Sequence, residues 1–139
     1  MAQIDKHFSR EVVALPADAQ CSQAARLMKE RRIGSVAVRE RGRIVGLVTE
    51  RDLCARLLSD GGFPATPIGE VMRRDQPRID PQASEMECAR LMQKHFTRHL
   101  LVARDDEIVG VISMKDVIQL MLDEKQWLIV QLQTYITHG

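Results

Sequence analysis

Cysteine is scarce and unpaired in this chain: Cys21, Cys54 and Cys88 are odd in number and share no motif spacing. That excludes a disulfide framework and a paired-cysteine zinc site. The three thiols read most simply as small buried hydrophobes, with redox sensing the weaker reading. An excess of one charge sign is also missing. Twenty Lys and Arg stand against nineteen Asp and Glu, for a net charge of +1, where a dedicated nucleic-acid binder would show a strong basic surplus. The run Lys29-Glu30-Arg31-Arg32 therefore reads as a solvated helix end. No apolar run approaches the ~20 residues of a membrane span, and the opening MAQIDKHFSR lacks the apolar core of a signal peptide. A cytoplasmic protein with no membrane partner is expected. No nucleophile-and-base set can be read from the chain, so binding rather than catalysis is expected, without a catalytic cofactor. His95 and His99 lie four apart, but a strand should begin near His99. The pair then shares no helix face, no third ligand is evident, and no metal site is expected.

What the chain does have is a copy of itself. Arg43-Ile44-Val45-Gly46-Leu47-Val48-Thr49-Glu50-Arg51-Asp52-Leu53 returns as Glu107-Ile108-Val109-Gly110-Val111-Ile112-Ser113-Met114-Lys115-Asp116-Val117. At the same offset Ala25-Arg26-Leu27-Met28 returns as Ala89-Arg90-Leu91-Met92, and Val38 as Val102. A constant offset with polarity kept marks an internal repeat. With 139 residues, 45% apolar and 28% charged, the chain has the length and composition of one ordinary globular domain. A repeat of roughly 60 residues buries little apolar surface alone, so two half-size subdomains sharing a core are expected.

In chain order, residues 1–11 are polar and should lead in loosely, and Val12-Val13-Ala14-Leu15 before Pro16 reads as a short buried strand. Ala24, Ala25, Leu27 and Met28 form an apolar helical face over residues 21–32, and Gly34 should stop that helix. Val36-Ala37-Val38 and residues 44–48 are strands joined by the turn Glu40-Arg41-Gly42, and Thr49 opens a helix to about Ser59. Asp60-Gly61-Gly62-Phe63-Pro64 is a linker. Ile68 starts a short helical turn, a brief strand lies between Pro77 and Pro81, and Ser84 with Glu87 forms a capping box for a helix to about Phe96. Strands over residues 99–103 and 108–112 precede a helix from Ser113. Each copy is thus strand, helix, strand, strand, helix, an α+β (mixed α/β) fold. The boundaries expected are 1–62 for the first repeat with its lead-in, 63–123 for the second, and 124–139 for one further helix. That last helix carries Trp127, Leu128, Val130, Leu132, Tyr135 and Ile136, and either packs on its own domain or offers a partner surface.

Thr49-x-x-Asp52 and Ser113-x-x-Asp116 each stand where a strand becomes a helix. Ser or Thr three residues before an acid is a helix N-cap signature. Helix N-termini also bind anions, and acidic side chains hold sugar hydroxyls in dinucleotide sites. Thr49 can cap while Asp52 faces a ligand.

The pattern of apolar residues, Gly, apolar residues, Ser or Thr, x-x-Asp, twice in such units, resembles the CBS domain as a tandem pair (a Bateman module) over about residues 6–122. Ile33-Gly34-Ser35-Val36-Ala37-Val38 and Thr97-Arg98-His99-Leu100-Leu101-Val102 match its second characteristic block. The resemblance implies a stand-alone regulatory module with two β-α-β-β-α repeats packed sheet to sheet in pseudo-two-fold symmetry, leaving two clefts for adenosine ligands such as AMP, ADP, ATP or NAD. It implies Asp52 and Asp116 on ribose hydroxyls, Thr49 and Ser113 near ribose or phosphate, backbone near Val13 and Pro77 beside the base, and Gly34-Ser35 and Arg98-His99 on the ligand. Only Arg98-His99 supplies cationic donors suited to phosphate. It further implies a homodimer signalling occupancy to an unknown target protein. The rival reading is a structural or dimerising module whose Thr/Ser-x-x-Asp motifs are only caps.

Overall fold

The computed structural model of the protein describes residues 4–6, 8 and 10–138, and its chain divides into two compact units. One spans Glu11–Gln76; the other spans Pro77–Gly139 together with the opening residues. The first holds β1 (Ala14–Pro16), α1 (Cys21–Arg31), β2 (Ser35–Glu40), β3 (Arg43–Thr49) and α2 (Glu50–Cys54), which runs on as a π-helical turn over Ala55–Ser59. The second holds β4 (Arg78–Ile79), α3 (Glu85–Lys94), β5 (His99–Arg104), β6 (Glu107–Ser113) and α4 (Met114–His138). Both sheets are three-stranded, ordered β1-β2-β3 and β4-β5-β6, with the outer β1 and β4 parallel to the middle strand and the hairpin antiparallel. The fold is the mixed α/β expected, two β-α-β-β-α repeats.

The repeat is kept down to irregularities. A bulge falls between Val38 and Arg39 in β2 and between Val102 and Ala103 in β5. The tight turns place Arg41 and Asp105 at positive φ, 51° and 56°, and Gly42 follows Arg41 at 76°. The helix stop differs from expectation. The left-handed residue after α1 is Arg32 (φ 53°), and after α3 it is Phe96 (φ 52°), rather than a glycine. Backbone bonds from Ile33 N–H to Met28 O and from Thr97 N–H to Met92 O, each 3.0 Å, close these ends. They offset the ~1–2 kcal/mol that a left-handed non-glycine residue costs.

Each unit has its own apolar core. Ala24, Met28, Val36, Val38, Val48 and Leu53 in one are matched by Cys88, Met92, Leu100, Val102, Ile112 and Val117 in the other. Two further pairs come from the segments ahead of each repeat. Ile68 and Met72 complete the first core, and Ile4 and Phe8, at the same offset, complete the second. Ile68 N–H donates to Ala19 O at 2.8 Å, and Ile4 N–H to Ala83 O at 2.9 Å. The opening residues, expected to lead in loosely, therefore supply core: Ile4 is fully buried and Phe8 nearly so. Burial of two large apolar side chains outweighs the polar character of their neighbours.

Cys21 and Cys88 are buried as expected, but Cys54 is exposed, because it falls on the outer side of the one-turn α2. Burial pushes the Cys21 thiol up from its ordinary value and, with lesser help from Glu87 and Glu85, pushes Cys88 to about 11. α4 has no break where the repeat ends. It runs 25 residues, so the extra C-terminal helix is the continuation of the second repeat's last helix. No Gly or Pro interrupts residues 114–138, and Asp123-Glu124-Lys125 is polar but helix-compatible.

Candidate functional site

Parallel β1 and β2 begin, and β3 ends, at one end of the first sheet, so the matched residues gather there. Ser35 is the register partner of Thr49. Ala37 N–H donates to Val13 O at 2.9 Å, and Glu50 N–H to Gly34 O at 3.1 Å. The second unit repeats this: His99 pairs with Ser113, Leu101 N–H donates to Pro77 O at 3.1 Å, and Met114 N–H to Arg98 O at 2.8 Å. Val13, Gly34, Ser35, Thr49 and Asp52 thus form one set, and Pro77, Arg98, His99, Ser113 and Asp116 the other. Ser35 and Pro77 are buried, Arg98 is exposed, and the rest are half-buried.

Both motifs are full reciprocal caps. Asp52 N–H donates to Thr49 Oγ1 at 3.1 Å while Thr49 N–H donates to Asp52 Oδ2 at 2.9 Å. Asp116 N–H donates to Ser113 Oγ at 3.2 Å, Ser113 N–H to Asp116 Oδ2 at 2.8 Å, and the Ser113 hydroxyl to the same Oδ2 at 2.9 Å. Capping uses only Oδ2 of each carboxylate; Oδ1 accepts no hydrogen bond among the described residues. Each helix start therefore holds a fixed acceptor, while the N–H groups of its first and third residues are already bonded. Of the box expected at Ser84 and Glu87 only the forward half forms, Ser84 Oγ accepting from Glu87 N–H at 3.2 Å.

The two sets differ at the start of the middle strand. Arg98 carries a guanidinium with no hydrogen-bond or ion-pair partner among the described residues, whereas Gly34-Ser35 carries only a hydroxyl. Thr97, which sequence reasoning did not single out, steadies this loop. Its hydroxyl donates to His99 O at 3.1 Å and accepts from His99 N–H at 3.3 Å. A Thr two residues before a strand residue is the available signal for such a turn. His95 ends α3 and His99 opens β5, so the two do not share a helix face. No cluster of three or more metal-ligating side chains exists among the described residues. No described helix is long and apolar enough to cross a membrane.

Known proteins resemble this chain in sequence and in fold. A protein YhcV of Bacillus subtilis, described as CBS domain-containing, is 28% identical over 116 residues, 84% of this chain and 83% of that protein. The matches span 59%, 35% and 58% of the length of three further relatives. Among solved structures, a conserved protein from Pyrococcus horikoshii superposes with a TM-score of 0.80 at 25% identity, covering 86% of this chain and 92% of that one. The CBS domain pair of protein MJ0100, solved with 5′-methylthioadenosine and S-adenosyl-L-methionine, superposes at 0.79 with 18% identity, covering 89% and 98%. The CBS-domain family profile matches residues 4–59 and 68–123, both copies from their buried lead-in isoleucine onward, and the chain belongs to the CBS-domain family as a tandem pair.

Proposed function

We propose that the chain is a regulatory module that binds an adenine nucleotide (AMP, ADP, ATP or NAD) at the sheet ends carrying the two motifs, and signals occupancy to a target protein. The observation that carries this reading is the pair of reciprocal caps, each of which fixes a carboxylate and leaves Oδ1 open beside a helix N-terminus. Oδ1 of Asp52 and of Asp116 accepts from ribose hydroxyls; Thr49 and Ser113 sit toward ribose or phosphate, and backbone at Val13 and Pro77 borders the base. Arg98 and His99 suit phosphate; Gly34 and Ser35 do not, so the second set is the tighter one for phosphorylated ligands. The adenosine ligands of the MJ0100 pair fit the same chemistry.

Asp116→Asn separates this reading from caps alone. In calorimetric titration with AMP the variant binds at least tenfold more weakly, while denaturation shows a loss of about 1 kcal/mol from the weakened cap. An unchanged affinity beside that loss makes the motif a cap only.

We also propose that the module is a homodimer. Leu58, Ile118 and Leu122 are all more than half or about half exposed, more apolar surface than helices facing a single sheet should leave.

A further inference from the structure

The C-terminal half of α4 is bare. Every residue from 125 to 137 is exposed, including Trp127, Leu128, Leu132, Tyr135 and Ile136, of which Tyr135 and Ile136 are more than three-quarters exposed. Residues 126–137 hold no charged side chain. A solvated helix of that composition needs a partner.

The apolar residues follow a 4-3 alternation along the whole helix. Met114, Ile118, Met121, Leu128, Leu132 and Tyr135 keep one stripe, and Lys125 is its single polar member. Leu122, Ile129 and Ile136 widen it on one side. This is the spacing of a two-helix seam. The eight exposed members leave on the order of 800 Å² of side chain open, about what one partner contributes to a standard interface. Near the N-terminal end of α4 the stripe lines an apolar groove of about 390 Å³ against α3, bordered by Ala89, Met92, Met114, Ile118 and Met121.

We infer that the occupant of this stripe is α4 of a second copy, paired antiparallel. The inference rests on the homodimer reading and names its contact. Direction follows from Lys125. A parallel pair sets Lys125 against Lys125 inside the seam, where like charges repel. An antiparallel pair centred between Glu124 and Lys125 sets each Lys125 beside the other copy's Asp123-Glu124. It also lays Leu128, Leu132 and Tyr135 on Met121, Ile118 and Met114. The uncharged tip then fills the methionine-lined groove, and a tyrosine ring on thioethers is a favourable contact. One stripe suffices, because a two-fold contact is self-complementary.

Light scattering on the intact chain and on Leu132→Asp tests the contact, with circular dichroism as the fold control, since Leu132 is exposed. The intact chain gives twice 15.8 kDa, and the variant dissociates at least a hundredfold more readily. Direction is read by disulfide formation in a Cys54→Ser background. Chains carrying Ile118→Cys cross-link to chains carrying Leu132→Cys, and two Leu132→Cys chains do not cross-link to each other. A folded Leu132→Asp variant that dimerises as tightly as the intact chain overturns the α4 contact and leaves the dimer standing. An intact chain that is monomeric at high micromolar concentration overturns both. Leu132–Leu132 cross-links overturn the antiparallel direction, and a monomer that floats with phosphatidylcholine vesicles assigns the stripe to lipid.

Discussion

A carboxylate in a capping box has two oxygens and needs only one for the cap. In both motifs Oδ2 accepts from the N–H of the capping Thr49 or Ser113, and on the proposed reading a change at Asp52 or Asp116 should touch stability slightly and ligand binding strongly. Arg98 has no such structural duty among the described residues. Arg98→Ala should therefore leave the melting temperature nearly unchanged and weaken AMP more than adenosine, by roughly 1.5–3 kcal/mol for a lost charge-assisted bond. Paired titrations with the two ligands check it, and equal losses would remove Arg98 from phosphate binding. The caps were legible in the sequence because Thr49 and Asp52, or Ser113 and Asp116, are three apart and meet within one helical turn. Ile4 and Phe8 were not, since their burial depends on strands about a hundred residues away. The signal was nevertheless present, because Ile4 and Phe8 stand at the repeat offset from Ile68 and Met72.

At the scale of elements, the glycine of Ile44-Val45-Gly46 acquires a reason. A Cβ on Gly46 would lie 2.5 Å from Arg73 O and 3.1 Å from Met72 Sδ, where Leu47 and Arg73 pair through two backbone bonds. Gly46→Ala should destabilise the fold by about 1–3 kcal/mol through this overlap, measured by denaturant unfolding; a neutral effect would mean the lead-in segment yields easily. A second test concerns α3 and α4. Glu85 is buried at the first turn of α3, where the helix dipole favours its charge by at most ~2 kcal/mol. Desolvation, reinforced by Glu124 of α4, outweighs that and raises it to about 7. Its folded value lies above its unfolded one, so its contribution is full below about pH 4.5 and fades as pH rises through about 7. Stability should fall between pH 5 and 8, and Glu85→Gln should flatten that fall and gain of order 1–2 kcal/mol at pH 8. An unaltered pH profile in the variant would show that the Glu85 proton is not linked to folding. Glu40 has the opposite sign: the Arg74 guanidinium holds its carboxyl below the usual range, so its effect is confined to acid pH. Strand and helix order was readable from apolar periodicity. The continuity of α4 was not, because the repeat ends near Leu122 while no breaker residue ends the helix there.

At the scale of the whole molecule, two units share one plan and differ in chemistry. Their hairpins, bulges and Thr/Ser-x-x-Asp caps correspond residue by residue, whereas Gly34-Ser35 and Arg98-His99 do not. The common plan was readable from the repeat; the exchange of lead-in segments between the two cores was not, because it is a matter of which unit each segment folds onto. The central claim is that this paired plan binds an adenine nucleotide, and a thermal scan of the intact chain with AMP, ADP, ATP or NAD tests it most directly. A ligand that binds only the folded chain adds about 2.7 kcal/mol at a hundred times its dissociation constant, which raises the melting temperature by roughly 5–10 °C. A rise of that size with at least one of the four at millimolar concentration is the expected result, and an unmoved transition with all four would contradict nucleotide binding and leave the motifs as caps.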